Sequence, residues 1–231
     1  MRFTFILITL AIFGAVFFSP CQEVFASETN TASSSAATKT IEDEIGQSII
    51  HPASFFYFLK MFREEIEMKT AQTSSAKMAR YLEFATRRIR EVRALISVNR
   101  EDLIEPTLEK YWIHLEDLIE AFNSSDLRRN SEIEWQVYEQ LYILNKVYSQ
   151  MTNKWAKIAI RRTIYKISGW DSSFAGKLIK LGQTQVVRMV YEHQKIGCDF
   201  LEKVASDSAL NEVEKSLFSE RAGKCNEVLR R

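Results

Sequence analysis

The chain has 231 residues, with 31 lysines and arginines against 30 aspartates and glutamates, so its net charge of +1 gives no support to a role in binding nucleic acid or another polyanion. Hydrophobic residues make up 46% of it, enough to bury a real core and to exclude disorder over most of its length. Only seven glycines and three prolines interrupt it, which favours helix over sheet.

Met1 and Arg2 precede an almost unbroken apolar run to Phe18, followed by Pro20 and by Val24-Phe25-Ala26, small side chains where a signal peptidase needs them. This reads as a cleaved export signal over residues 1–26, with an uncleaved anchor as the alternative. The product would be periplasmic, cell-envelope associated or secreted. Cleavage removes Arg2 and Glu23, so 30 basic minus 29 acidic residues leave +1. Cys21 departs with the signal, and Pro20 just before it argues against lipid attachment. Cys198 and Cys225 remain in an oxidising compartment, where they could pair. Residues 27–50, rich in Ser, Thr and Ala, read as a flexible linker.

Six amphipathic helices are expected after it. Ser54, behind Pro52, is placed to cap a first helix over Phe55 to about Lys69. Phe56, Tyr57, Phe58 and Phe62 give that helix a large apolar surface, expected to be buried against the second. Met78, Leu82, Ala85, Ile89, Val92 and Ile96 fall at alternating steps of four and three and form the stripe of a second helix. Ile104, Leu108, Tyr111, Leu115, Leu118 and Phe122 repeat that step in a third, with Asn99 as its cap. The same seam, from Val137 through Tyr148, Met151 and Trp155 to Tyr165, predicts one long fourth helix over 131–168, stopped by Gly169 and followed from Asp171 or Ser172 by a fifth helix to about Ala205. Asn211 and Glu214 form a capping box for a sixth, with Phe218, Ala222, Cys225 and Leu229 as its stripe.

The run Pro52-Ala53-Ser54-Phe55-Phe56-Tyr57-Phe58-Leu59-Lys60, with Glu64 after it, resembles the opening of an exported bacterial helical domain of unknown function, whose pattern is Pro-Asp-Ser-Pro-Phe/Leu-Tyr-x-Leu/Phe-Lys and then glutamate. Lys77-Met78-Ala79-Arg80 with Ala85, Arg88, Glu91 and Leu95 is similar to its second helix. The likeness covers residues 51–97 and departs at Ala53 and Phe55, where the family has aspartate and proline. It implies a helical fold and export, and brings no catalytic role. Arg88 and Glu91, three apart, could form a surface pair or a buried clamp onto the aromatic helix.

No cluster has the spacing of a known catalytic or metal site. Ser74-Ser75-Ala76-Lys77 spells S-x-x-K, but Ser74 and Asn99 fall where helix caps belong and no K-T-G follows. Gly169 to Lys177 lacks phosphate-loop spacing. His51, His114 and His193 are far apart; His114 with Asp117 and Glu120 shares a helix side that reads as a solvated flank, and His193 sits in an apolar stripe as a hydrogen-bonded histidine, with pH sensing as the alternative. Lys154, Lys157, Arg161, Arg162 and Lys166, interleaved with Trp155 and Tyr165, form the only dense basic stretch, a solvated face or a contact to an anionic membrane or wall polymer.

The sequence therefore describes an all-α exported protein: helices packed as antiparallel hairpins, an N-terminal domain over 51–168 and a C-terminal pair over 169–231, with no cofactor or metal. A non-enzymatic docking or scaffolding role toward an envelope protein is the expectation, with anionic-surface binding through 154–166 as the alternative; oligomeric state is open. An exposed apolar patch at Phe55, Phe56, Phe58 or Trp170 would give the docking role a specific surface.

Overall fold

The computed structural model of this chain describes residue 46, residues 48–207 and residues 210–229. The expected signal over 1–26, Cys21 and nearly all of the expected linker lie outside those residues, as does the Leu229 side chain. Of the described residues 82% are helical and none lies in a strand. Helix α1 (Tyr57–Thr70) precedes α2 (Ser74–Ser97), and a 3-10 turn at Glu101–Leu103 feeds α3 (Ile104–Ala121). Then come α4 (Leu127–Tyr148), α5 (Lys154–Lys180), α6 (Thr184–Ala205) and α7 (Glu212–Leu229).

The stripes read for the second and third helices face each other. Met78, Leu82, Ala85, Ile89 and Val92 are buried on α2, and Ile104, Leu108, Tyr111, Leu115 and Leu118 on α3, with Phe122 just past its end. Burying each large side chain contributes about 1.5–3 kcal/mol, so this α2–α3 pair supplies much of what holds the N-terminal half. Helix α3 also lies along α5, α5 along α6 and α6 along α7, while α4 packs on α2 and α6. Trp170 of α5 donates its indole N–H to the Leu115 carbonyl of α3 at 2.8 Å and stacks on Phe174, whose ring meets Phe122 edge-on. One continuous apolar core thus runs from Met78 to Ala222.

Seven helices occur among the described residues, against six expected, because the seam predicted over 131–168 is broken. Helix α4 stops at Tyr148, and Asn153 caps a new start, its Oδ1 accepting the N–H groups of Trp155 (2.8 Å) and Ala156 (3.2 Å). Glu101, from the link between α2 and α3, accepts the N–H groups of Thr152 and Asn153 at 3.1 and 2.7 Å and pins the break. The stripe changes phase there: Tyr148 and Met151 are buried, Trp155 is exposed, and Ala156, Ala159 and Ile160 point inward instead. Helix α5 then runs straight through Gly169, Trp170 and Asp171, so Gly169 is no C-cap and Asp171 no N-cap. The stop lies at Gly182, whose φ of +70° lets the Gln183 N–H reach back to the Leu178 carbonyl at 3.0 Å.

Other helix ends differ in the same manner. Asn99, expected to open the third helix, closes α2 from φ +54°, with the Arg100 N–H on the Leu95 carbonyl at 2.8 Å. Thr73, one residue before Ser74, is the cap of α2. Ser54 accepts from the His51 N–H within the preceding turn, and α1 begins at Tyr57 with no side-chain cap. The Asn211–Glu214 capping box forms as read, with bonds of 2.9 and 3.0 Å. Cys198 of α6 and Cys225 of α7 form a disulfide with Cα atoms 5.5 Å apart.

Candidate docking surface

Helix α1 is amphipathic in the inverted sense. Its one fully buried residue is Glu64, while Phe55 and Phe56 in the turn before it and Phe58, Leu59, Phe62 and Ile66 along it are exposed, Phe55 by 83%. The expected burial of Phe56, Phe58 and Phe62 against the second helix is thereby corrected; of the four aromatic residues only Tyr57 turns inward. At 100° per residue, Tyr57, Lys60, Met61, Glu64 and Met68 share the other face, and it is this face that meets α2.

What draws that face inward is charge. Arg88, fully buried on α2, places Nη2 on both oxygens of the Glu64 carboxylate, while its Nη1 bonds the Tyr57 hydroxyl and lies 3.0 Å from Glu91 Oε2. Lys60 closes the cluster at 2.6 Å from Glu91 Oε1, and the Tyr57 hydroxyl is 3.2 Å from Glu91 Oε2. Lys60 also donates to Ser48 Oγ and to the Ile50 carbonyl, tying the incoming chain to the same point. Arg87 adds a second layer through Glu64 (3.4 Å), Glu67 (2.9 Å) and Glu83 (2.5 Å). Removal from water raises the Glu64 pKa in spite of Arg88. Burial and then the Glu91 charge push the Tyr57 hydroxyl far up, and burial lowers Lys60. Tyr57, Lys60, Glu64, Arg88 and Glu91, all positions of the resemblance, thus meet as a buried clamp rather than a surface pair. Pro52 and Ser54 shape the entry turn, and Phe56 and Leu59 stand outside. Sequence reading missed Arg87, although Glu83 four residues before it was the available signal.

Between the exposed ridge and the α2–α3 pair runs an open groove of about 650 Å³, lined by Phe58, Met61, Phe62, Met68, Tyr81 and Phe84, with Glu65, His114 and Asp117 along it. His114 meets the Phe84 ring edge-on, and burial, then Arg88 and Lys110, depress its pKa to about 4. Burial and the nearby Glu120 and Glu116 raise Asp117. No group of three His, Cys, Asp or Glu side chains placed to hold a metal occurs among the described residues.

The basic stretch does not form one face. Arg161, expected outside, is 1% exposed, its guanidinium over the rings of Tyr148 and Phe218. Lys157 also covers Tyr148, Lys166 covers Trp112, Arg162 pairs with Glu105 at 3.1 Å and Lys154 lies 3.7 Å from Glu214. The helical period carried Arg161 inward once the seam changed phase. Trp170 is buried as well, so of the four residues named for an apolar patch only Phe55, Phe56 and Phe58, in α1 and the turn before it, are exposed. His193 Nδ1 lies 2.8 Å from buried Glu134, with its ring stacked on Tyr138. Ser74 and Asn99 stand at opposite ends of α2, roughly 37 Å apart at 1.5 Å per residue, and Gly169 to Lys177 is helix rather than loop.

Fold and clamp together define a small all-helical domain whose first helix is fastened by an ionic cluster to a helical hairpin. Residues 49–157, which hold the whole clamp, match the family model of a domain of unknown function (DUF5667). No curated protein and no solved structure matches the chain.

Proposed function

We propose that this protein is an exported, non-enzymatic docking module of the cell envelope and that the aromatic face of α1 is the surface it docks with. The observation that carries the reading is the inverted helix, which turns Lys60 and Glu64 inward and offers its phenylalanines to solvent. Scattered apolar side chains are ordinary on a protein surface, but six on one short segment form the kind of contiguous patch that marks an interaction site. Export is supported by the signal-like pattern of residues 1–26 and by a disulfide, a bond that persists in oxidising compartments.

A photoreactive residue placed at Phe58 or Phe62 and activated in intact cells is expected to give cross-linked adducts, whereas the same residue at Ile179 or Val213, exposed apolar positions on other helices, gives none. Absence of adducts from both α1 positions, or equal yields from all four, would overturn the proposal.

A further inference from the structure

We infer that the occupant of the α1 surface is a second copy of this chain, the two α1 helices packing against each other about a two-fold axis; this rests on the docking reading above. The stripe has the spacing of a helix–helix seam. Leu59, Phe62 and Ile66 recur at steps of three and four, and Phe58 stands one turn before Phe62, so four apolar side chains fill an arc of about 100° on the exposed face. Phe55 extends it across the preceding turn, its ring edge-on to Phe56 and Phe58.

Area agrees. Fully exposed aromatic side chains present about 150–250 Å² each, so the four phenylalanines, 57–83% exposed, with the half-exposed Leu59 and Ile66, offer on the order of 700 Å² per copy, close to the ~800 Å² each partner contributes to a standard interface. A two-fold contact also needs a surface that complements itself, and here the ridge of Phe58 and Phe62 borders a groove lined by Met61, Met68, Tyr81 and Phe84. The ridge of one copy has a receptor on the other. Charge does not oppose the meeting, since Arg63 pairs with Glu67 and Lys69 with Glu65 on the same helix, each at 2.6 Å. That matching also disfavours a lipid surface: the cations of α1 itself, Lys60, Arg63 and Lys69, each have a carboxylate partner and are not free to meet anionic headgroups, and a flat bilayer does not fill a groove.

Sedimentation of the purified protein at up to ~100 µM, a range that reports weak as well as tight dimers, is expected to show twice the monomer mass. Phe62→Asp should shift it to monomer with an unchanged circular-dichroism spectrum, and Ile179→Asp should leave the dimer intact. Were Phe62→Asp to lose helix content, Ile66→Asp carries the same test. Phe62→Cys, near the axis, should cross-link to itself under mild oxidation. A wild-type protein that stays monomeric, or a dimer indifferent to both α1 substitutions, would overturn the inference. Monomer in solution together with α1 photoadducts of another mass in cells would reject the second copy and keep the docking reading, whereas absence of any α1 adduct removes both.

Discussion

Arg88 of α2 and Glu64 of α1 are both withdrawn from solvent and joined through two oxygens of one carboxylate, and this pair decides which way α1 faces. Removing one partner of a buried ion pair costs about 3–5 kcal/mol, and because Arg87 still reaches Glu64 and Lys60 still reaches Glu91 the lower end, about 3 kcal/mol, applies to Arg88. Arg88→Met is therefore expected to cost that much in urea unfolding. Because α1 has no other fully buried residue, the loss should be local: amide exchange rises across α1 while α2 and α3 keep their protection. The paired change Glu64→Leu with Arg88→Met should recover most of the stability, as apolar replacements of buried ion pairs often do. Uniform acceleration of exchange in all helices would contradict a clamp that serves α1.

The Cys198–Cys225 bond closes 27 residues of chain, which by loop entropy alone stabilises the fold by about 3–4 kcal/mol. Helix α7 depends on it more than the others, since its buried anchors are few, among them Phe218, Ala222 and Cys225 itself. The double variant Cys198→Ala, Cys225→Ala is expected to unfold earlier in denaturant and to free α7 first, read as new protease cleavage between Ala205 and Glu212. Cleavage first in α2 or α3 would refute it.

His114 gives the stability a definite pH dependence. Its folded pKa of about 4 lies below the ordinary 6.5, so the fold excludes a proton that the unfolded chain accepts. The stability it contributes is complete above pH 6.5 and is lost as pH falls toward 4, by about 2–3 kcal/mol. His114→Gln should flatten the fall in Tm over that interval and change little at pH 8. Parallel Tm profiles for the two proteins would show that the imidazole is not held neutral.

Asp171 works with the opposite sign. Its burial, with Glu134 nearby, raises its pKa, so the folded state binds a proton more tightly and the associated stability is lost as pH rises. Asp171→Asn keeps the shape without the charge and should raise Tm at neutral pH by roughly 2–4 °C, the scale of a 1 kcal/mol gain in a chain of this size. A lowered Tm at pH 7 would mean that the carboxylate is stabilising as an anion.

The period of apolar residues located most of the core of α2 and α3: its positions there are buried except Ile96, which is half-buried, while Phe84, Ala94 and Leu95 are buried off the step. It misjudged α1, where hydrophobicity selects Phe58 and Phe62 as the inner face but Lys60 and Glu64 are drawn in by Arg88 and Glu91 from another helix. Periodicity carries no information about a partner charge far along the chain; the family-like positions did, because they coincide with the clamp. The basic stretch failed for a different reason: its reading assumed an unbroken helix, and Arg161 moves from outside to inside when the phase slips near Met151.

Besides the Asn153 cap, that slip is held by Glu101 from the link between α2 and α3. Partial burial would raise its pKa, but the N–H groups of Asn153 and Thr152 and the Thr152 hydroxyl stabilise the carboxylate more, and the pKa is lowered. A depressed carboxylate contributes stability that is present above its unfolded pKa and lost as pH falls through the folded one. Glu101→Ala leaves the N–H groups of Thr152 and Asn153 without their acceptor at a helix start, a loss of about 0.5–2 kcal/mol by analogy with helix caps. Glu101→Gln, which retains one acceptor oxygen, should lose less and should no longer weaken with acid below pH 5. Amide exchange at 152 and 153 reads the effect directly: both amides should accelerate in Glu101→Ala before any change in α4 or α5, and unchanged protection there would assign the break to the Asn153 cap alone.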